Sequence, residues 1–241
     1  MAFDAVCCNA HRRIFLTGAA ATGLSIGLVG LTTGAEAASL TETQRNLMTP
    51  DSVVTAMLAG NARFLSGEHK QRNFLAEMRS SSTGQYPAAV VLSCIVSRAP
   101  VEVVCDLGIG DIFNARVAGN AVNDDILGSL EFACAVAGAK AVVVMGHTSC
   151  GAIKGAIDNV VLGNLTLLLA RFKPAVDATT YDGVRTSKNA EFVDAVARTN
   201  VMQSIGIIRK RSPVLAGLET KGAIKIVGSM YDVATGVMTM V

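Results

Sequence analysis

Tryptophan is absent from this 241-residue chain, and aromatic residues make up only 5% of it. Proteins that stack nucleic-acid bases combine aromatic platforms with a basic groove. Here 21 Lys and Arg nearly balance 19 Asp and Glu, and no Lys/Arg-rich run occurs, so the sequence argues against nucleic acid as a partner. Six cysteines are too few for a disulfide framework and enough for a metal or thiolate site. Charged residues are also scarce, at 17%, while 51% are hydrophobic. That balance excludes a disordered chain, and the length excludes a disulfide-stapled miniprotein. One α/β or β-rich domain of ordinary size is expected.

The N-terminus reads as an export signal. His11-Arg12-Arg13 precedes an apolar, Ala/Gly-rich stretch from Ile14 to about Leu31, and Ala35-Glu36-Ala37 closes it. A charged start, an apolar middle and a small-x-small end are the parts of a cleavable signal peptide, and the paired arginines give it twin-arginine character. A membrane anchor is the alternative at that length. The sequence predicts a signal peptide over 1–37, removed together with Cys7 and Cys8. The mature protein is then periplasmic or otherwise exported, with no stable membrane span.

Residues 38–241 read as one domain. Residues 38–48 are a polar, mobile lead-in. Thr49-Pro50-Asp51 opens a helical arm over about 49–66, with a capping hydroxyl, Pro in the first turn and an acid at the positive end of the helix. Gly67 to Tyr86 is polar and irregular. From Pro87, short uninterrupted apolar runs at 88–93 and 141–145 read as strands buried on both faces, with further strands at 112–117 and 223–228. Helical patterns fill the gaps at 123–136 and 189–211. The alternation predicts an α/β fold, a mainly parallel sheet flanked by helices.

Cys94 follows the first buried strand and His147 the second, with Cys150 three residues later. Ligands gather at the carboxyl ends of strands in open α/β sheets, so Cys94 is expected beside the His147/Cys150 pair. Two thiolates and one imidazole form a soft, zinc-preferring set with a fourth position left open. The alternative is two small buried cysteines and a satisfied loop histidine. Gly108-x-Gly110 lacks the third glycine and the lysine of a phosphate loop and reads as a turn, with Asp106 and Asp111 capping it. Cys105 and Cys134 are expected as inert core thiols, a disulfide between them being the alternative. His69 is expected as a solvated loop histidine, with a proton shuttle as the more remote reading.

Several motifs in order resemble the β-class carbonic anhydrases. They are Gly60-Asn61-Ala62-Arg63-Phe64, Cys94-Ile95-Val96-Ser97-Arg98-Ala99-Pro100, Asp106-Leu107-Gly108-Ile109-Gly110-Asp111, Arg116-Val117-Ala118-Gly119-Asn120, Gly146-His147-Thr148-Ser149-Cys150-Gly151 and Gly228-Ser229-Met230-Tyr231-Asp232. The resemblance spans about Asp51 to the end. It implies one zinc ion per chain on Cys94, His147 and Cys150. It also implies a substrate pocket of the plant-like subgroup: Gln85 bonds bicarbonate, Phe113 and Phe132 form an aromatic wall, and the Gly151 backbone positions substrate. Phe132 stands where that subgroup usually has tyrosine. For Gln85 the other reading is a loop amide, and for the two phenylalanines it is core packing. The resemblance further implies a homodimer or a multiple of dimers, with the N-terminal helix wrapping the partner and the cleft at the interface.

One position departs from the family's Cys-x-Asp-Ser-Arg pattern: Val96 stands at the aspartate. Valine has neither acceptor nor charge. The zinc site therefore cannot be closed by this residue, and Arg98, expected as a buried guanidinium without its carboxylate, seeks another anion. The implied activity is reversible hydration of carbon dioxide to bicarbonate by zinc-bound hydroxide, weakened by loss of a residue that orients the nucleophile and relays its proton. Three alternatives stand beside it: a zinc-loaded, silent bicarbonate-binding protein, a hydrolase of carbonyl sulfide or carbon disulfide on the same fold, and a thiol-redox protein using Cys94 and Cys150.

Overall fold

The computed structural model describes residues 38–241. The signal-peptide expectation for 1–37 lies outside the described residues. Among those described, no helix is long and apolar enough to cross a membrane.

In chain order the elements begin with α1 (Glu42–Leu47), α2 (Pro50–Ser66) and α3 (Phe74–Ser81). Next come β1 (Ala89–Ser93), α4 (Val101–Val104), β2 (Ile112–Arg116), a 3-10 turn at Ala118–Asn120 and α5 (Asp124–Glu131), which runs into a π turn at Phe132–Val136. The chain continues with β3 (Ala141–His147), α6 (Gly151–Ile157), α7 (Gly163–Ala170), α8 (Lys173–Ala178), α9 (Ala190–Arg211) and α10 (Pro213–Thr220), and ends with β4 (Lys225–Tyr231) and β5 (Met238–Met240).

The strands form one sheet in the order β2-β1-β3-β4-β5. The first four are parallel and β5 is antiparallel to β4. Every residue of β1 and β3 is buried, as their unbroken apolar runs predict. Alternate side chains feed two cores. Val90, Leu92, Val142 and Val144 pack with Val193, Val196 and Val201 of α9 on one face. Ala89, Val91, Val143 and Met145 pack with Val53 and Met57 of α2 and Val101 and Val104 of α4 on the other.

The N-terminal region departs most from expectation. Residues 38–48 are not a mobile lead-in: Thr41 and Gln44 form a capping box on α1. The buried Ser39 hydroxyl donates to the carbonyls of Glu77 (2.9 Å) and Ile109 (2.6 Å), and the buried Arg45 guanidinium donates to the Ala137 carbonyl. Helix α2 starts as expected, with Thr49 Oγ1 accepting from the Ser52 amide and Pro50 in the first turn. It packs on its own chain. Asn61 donates to the carbonyls of Val104 and Gly236 and accepts from the Met238 amide, each at 2.9 Å. Gly60 permits the approach, since a Cβ there would fall 1.8 Å from the Cys105 carbonyl oxygen.

The irregular stretch expected over 67–86 contains α3, capped by Asn73. It closes over a cluster of charges. Asp106, at a left-handed φ of 46°, pairs with Arg63 at 2.5 Å, while Arg72 reaches Glu77 at 3.2 Å and Asp106 at 3.9 Å. Asp106 is thus more than a turn cap. Burial raises its carboxyl, but hydrogen bonds from Arg63 and the Lys70 amide, with Arg72 nearby, outweigh that and hold it below the usual carboxylate range. His69 is about half exposed, as expected, and stands 3.8 Å from Asp106.

Candidate metal centre

The two central strands deliver the donors. Cys94 follows β1, His147 is the last residue of β3, and Cys150 is the residue before α6. Ser93 of β1 pairs in register with Met145 of β3, so the residues just beyond them emerge side by side. One ligand atom from each of Cys94, His147 and Cys150 lies within 4.8 Å of the others, and all three side chains are buried.

The chemistry of the set fits a zinc ion. His147 Nδ1 lies 2.8 Å from the Thr148 carbonyl oxygen. A carbonyl only accepts, so Nδ1 carries the proton and Nε2 presents its lone pair. That Nε2 is buried with no hydrogen-bond partner. Cys94 Sγ accepts from the Gly119 amide at 3.2 Å. The Cys150 thiol also bonds to Cys94. This is the largest influence lowering the Cys94 thiol; it outweighs burial and is helped by His147 and the Gly119 and Val96 amides. The same contact and burial push Cys150 upward. A metal ion binding here displaces the thiol protons, as thiolate ligation requires.

The loops around the donors are fixed by side chains that the sequence did not single out. Arg116 donates through Nε to the Cys94 carbonyl (2.9 Å) and through its terminal nitrogen to the Val96 carbonyl (2.5 Å). Asp194 of α9 accepts from the Ser149 amide at 2.8 Å, and Asn200 of α9 donates to the Gly119 carbonyl at 3.0 Å. Arg116 and Gly119 stood inside a recognised motif without a role. Asp194 and Asn200 carried no local signal, because each acts across 45 or more residues of sequence.

Val96 is half-buried and packs against both cores. Arg98 is not the buried guanidinium expected: it lies in an exposed turn and makes no side-chain hydrogen bond among the described residues. Gly151 is the first residue of α6.

Gln85, Phe113 and Phe132 do not join the cluster within one chain. Gln85 lines an open depression of about 430 Å³ with Ile109, Gly110 and Ile112, at the start of β2, whereas Cys94 follows the other end of the neighbouring parallel strand. Phe113 and Phe132 meet edge to face, 6.1 Å between centroids, in a second depression of about 580 Å³ with Asn114 and Asp125.

Residues 89–238 match the family described as carbonic anhydrase. Carbonic anhydrase 2 of Mycobacterium tuberculosis is 31% identical over 193 residues, covering 78% of this chain and 90% of that protein. The chain belongs to the β-carbonic anhydrases. A carbonic anhydrase of Mycolicibacterium smegmatis is 32% identical over 193 residues, with 78% of this chain and 91% of that protein covered. Among solved structures, the β-carbonic anhydrase CafA of Aspergillus fumigatus superposes with a TM-score of 0.61 at 28% identity, over 68% of this chain and 79% of that one. The Coccomyxa β-carbonic anhydrase, solved with acetazolamide, shares the fold with a TM-score of 0.60 at 20% identity, over 78% and 81% of the two chains. Five strands flanked by helices and the Cys-His-Cys cluster are thus the β-carbonic anhydrase architecture in this chain.

Proposed function

We propose that this β-carbonic anhydrase holds one zinc ion on Cys94, His147 and Cys150 and uses it for reversible hydration of carbon dioxide to bicarbonate. The observation that carries the reading is the buried, unpartnered Nε2 of His147, on a ring that brings a nitrogen within 4.8 Å of two cysteine sulfurs. Bound zinc supplies Lewis acidity that makes water a nucleophile near neutral pH. The protein holds the donors in place, with Arg116 fixing the Cys94–Val96 turn and the Gly151 backbone positioning substrate at the start of α6.

Val96 offers no acceptor for a proton beside that centre. Loss of one positioned polar group costs about 10²–10³ in rate, so the activity is slow and not absent. Arg98, exposed and unpaired among the described residues, is available to an incoming anion.

The pocket is completed by a second copy. β2 is an edge strand, and Phe132 beside it is 50% exposed. Gln85, Phe113 and Phe132 then serve the partner's metal centre, in a homodimer or a multiple of dimers. Export rests on Arg12-Arg13 and the apolar stretch after them. Cleavage after Ala37 would place the mature enzyme in the periplasm or outside the cell.

Stopped-flow carbon dioxide hydration on mature protein with its zinc content measured tests this reading, with Val96→Asp beside it. Turnover above buffer in the zinc-loaded protein, raised about 10²–10³-fold in Val96→Asp, is expected. Bicarbonate binding without turnover in the parent chain favours a silent bicarbonate-binding protein. Sulfide release from carbonyl sulfide, with no carbon dioxide hydration in either chain, overturns the proposal.

A further inference from the structure

Helix α9 places two polar side chains behind the metal-binding loops. The first is Asn200, 6% exposed, whose amide nitrogen donates to the Gly119 carbonyl at 3.0 Å. Gly119 sits in the left-handed region at φ 64° and ψ 19° and turns its own N–H onto Cys94 Sγ at 3.2 Å. Its conformation admits no larger residue, since a Cβ would fall 2.5 Å from the Phe172 ring. Gly119 is therefore held at both ends of the residue, by sulfur at nitrogen and by Asn200 at oxygen.

The second is Asp194, whose Oδ1 accepts from the Ser149 amide at 2.8 Å. Ser149 lies between His147 and Cys150 and is itself left-handed, at φ 54°. A non-glycine residue in that region is strained and persists only where its surroundings enforce it. The Asp194 carboxylate is such an enforcement. Its bond fixes the turn that brings the His147 and Cys150 donors to one point. The other side of that turn is tied down independently, by the Thr148 amide on the Tyr231 carbonyl (3.0 Å) and the Val233 amide on Thr148 Oγ1 (3.0 Å).

We infer that Asn200 and Asp194 are positioning residues for the metal centre, one for the Cys94 side and one for the His147–Cys150 side. One helix, packed across β3, thereby sets both halves of the donor set. The inference rests on the metal reading above and adds to it two residues that touch neither metal nor substrate.

The test is zinc affinity, measured on the mature protein by competition with a chromophoric chelator, with the thiolate-to-metal absorption of the cobalt(II)-substituted protein as a second readout. Asp194→Ala and Asn200→Ala are each expected to weaken zinc binding about 10–100-fold and to shift the cobalt band. Asp194→Asn keeps an oxygen facing the Ser149 amide and is expected to stay near the parent affinity. Ser204→Ala removes a buried hydroxyl from the same helix that bonds to neither loop, and it is expected to leave zinc affinity unchanged. Thermal melts of the metal-free proteins identify variants that fold, and if Asn200→Ala does not, the Asp194 pair decides. Parent affinity and an unshifted cobalt band in folded Asp194→Ala and Asn200→Ala overturn the inference while leaving the metal reading intact. A loss in Ser204→Ala as large as in the other two, or equal losses in Asp194→Asn and Asp194→Ala, also overturns it. A parent chain that binds no zinc overturns the metal reading itself.

Discussion

Cys105 and Cys134 lie on opposite faces of the central sheet. Cys105 packs with Met57, Val101 and Val104, its sulfur 3.9 Å from that of Met238, while Cys134 is buried with Leu130, Ile208 and Leu215 on the far side. The sheet between them excludes the disulfide that sequence alone left open. Burial pushes both thiols up to about 12, helped at Cys105 by the Glu102 carboxylate.

Neither thiol should therefore react with a disulfide reagent in the folded, zinc-loaded protein at neutral pH, and both should appear on unfolding. Their folded values exceed the unfolded thiol value near 8.5, so they stabilise the fold below that pH. That contribution is lost as pH rises from about 8.5 towards 12. Thiol counts before and after denaturant, with urea midpoints across that range, check both statements.

Gly119→Ala should be among the most damaging single-methyl additions. The left-handed conformation alone costs about 1–3 kcal/mol, and the contact with Phe172 adds to it. Equilibrium unfolding in urea should show a loss of at least that size, together with weaker zinc retention because the shift away from Phe172 draws the residue-119 amide off Cys94.

Asp106 gives the acid side of the stability profile. Its folded carboxyl titrates lower than the unfolded one, so its contribution is full above about pH 4 and disappears as pH falls through the folded value. Asp106→Asn should cost about 3 kcal/mol at neutral pH by leaving Arg63 without its carboxylate, while Arg72 keeps Glu77. The difference from the parent should shrink below pH 4. Urea midpoints measured from pH 7 to 3 test the size and the sign together.

Phe132→Glu places a charge on the half-exposed aromatic beside the edge strand. If a second copy completes the pocket, the variant should sediment as a monomer, keep its zinc, and lose most of its carbon dioxide hydration. A variant that remains a dimer with full turnover counts against the shared pocket.

The sheet and the donor set were readable from sequence because their signals are local. Unbroken apolar runs mark β1 and β3, and the spacing after them marks Cys94, His147 and Cys150. Strand β4 runs Lys225–Tyr231 rather than 223–228, because Gly222, at φ 67°, and Ala223 close the turn after α10. Strand β5 is three residues long and leaves no periodicity to detect. Helix α3 inverts the usual pattern: Phe74, Leu75 and Met78 are exposed, and its buried residue is Glu77, which accepts from Arg72 and the Ile109 amide. Asp106 looks like a turn residue in sequence because its partner Arg63 stands 43 positions away. The motif around Arg98 implies a buried guanidinium, and the chain leaves it in an exposed turn.

The in-register pairing of Ser93 with Met145 turns the sheet into a gauge. Adjacent strands lie about 4.8 Å apart, a spacing set by main-chain hydrogen bonds and indifferent to side chains. Because Cys94 and His147 emerge from neighbouring strand ends, the gap between sulfur and imidazole is ruled by that lattice and not by the roughly fifty residues of chain that separate them. The connecting segments can lengthen, shorten or change composition without altering the bite offered to a metal. A centre measured out in this way exists before any ion arrives, and its dimensions are inherited from the backbone.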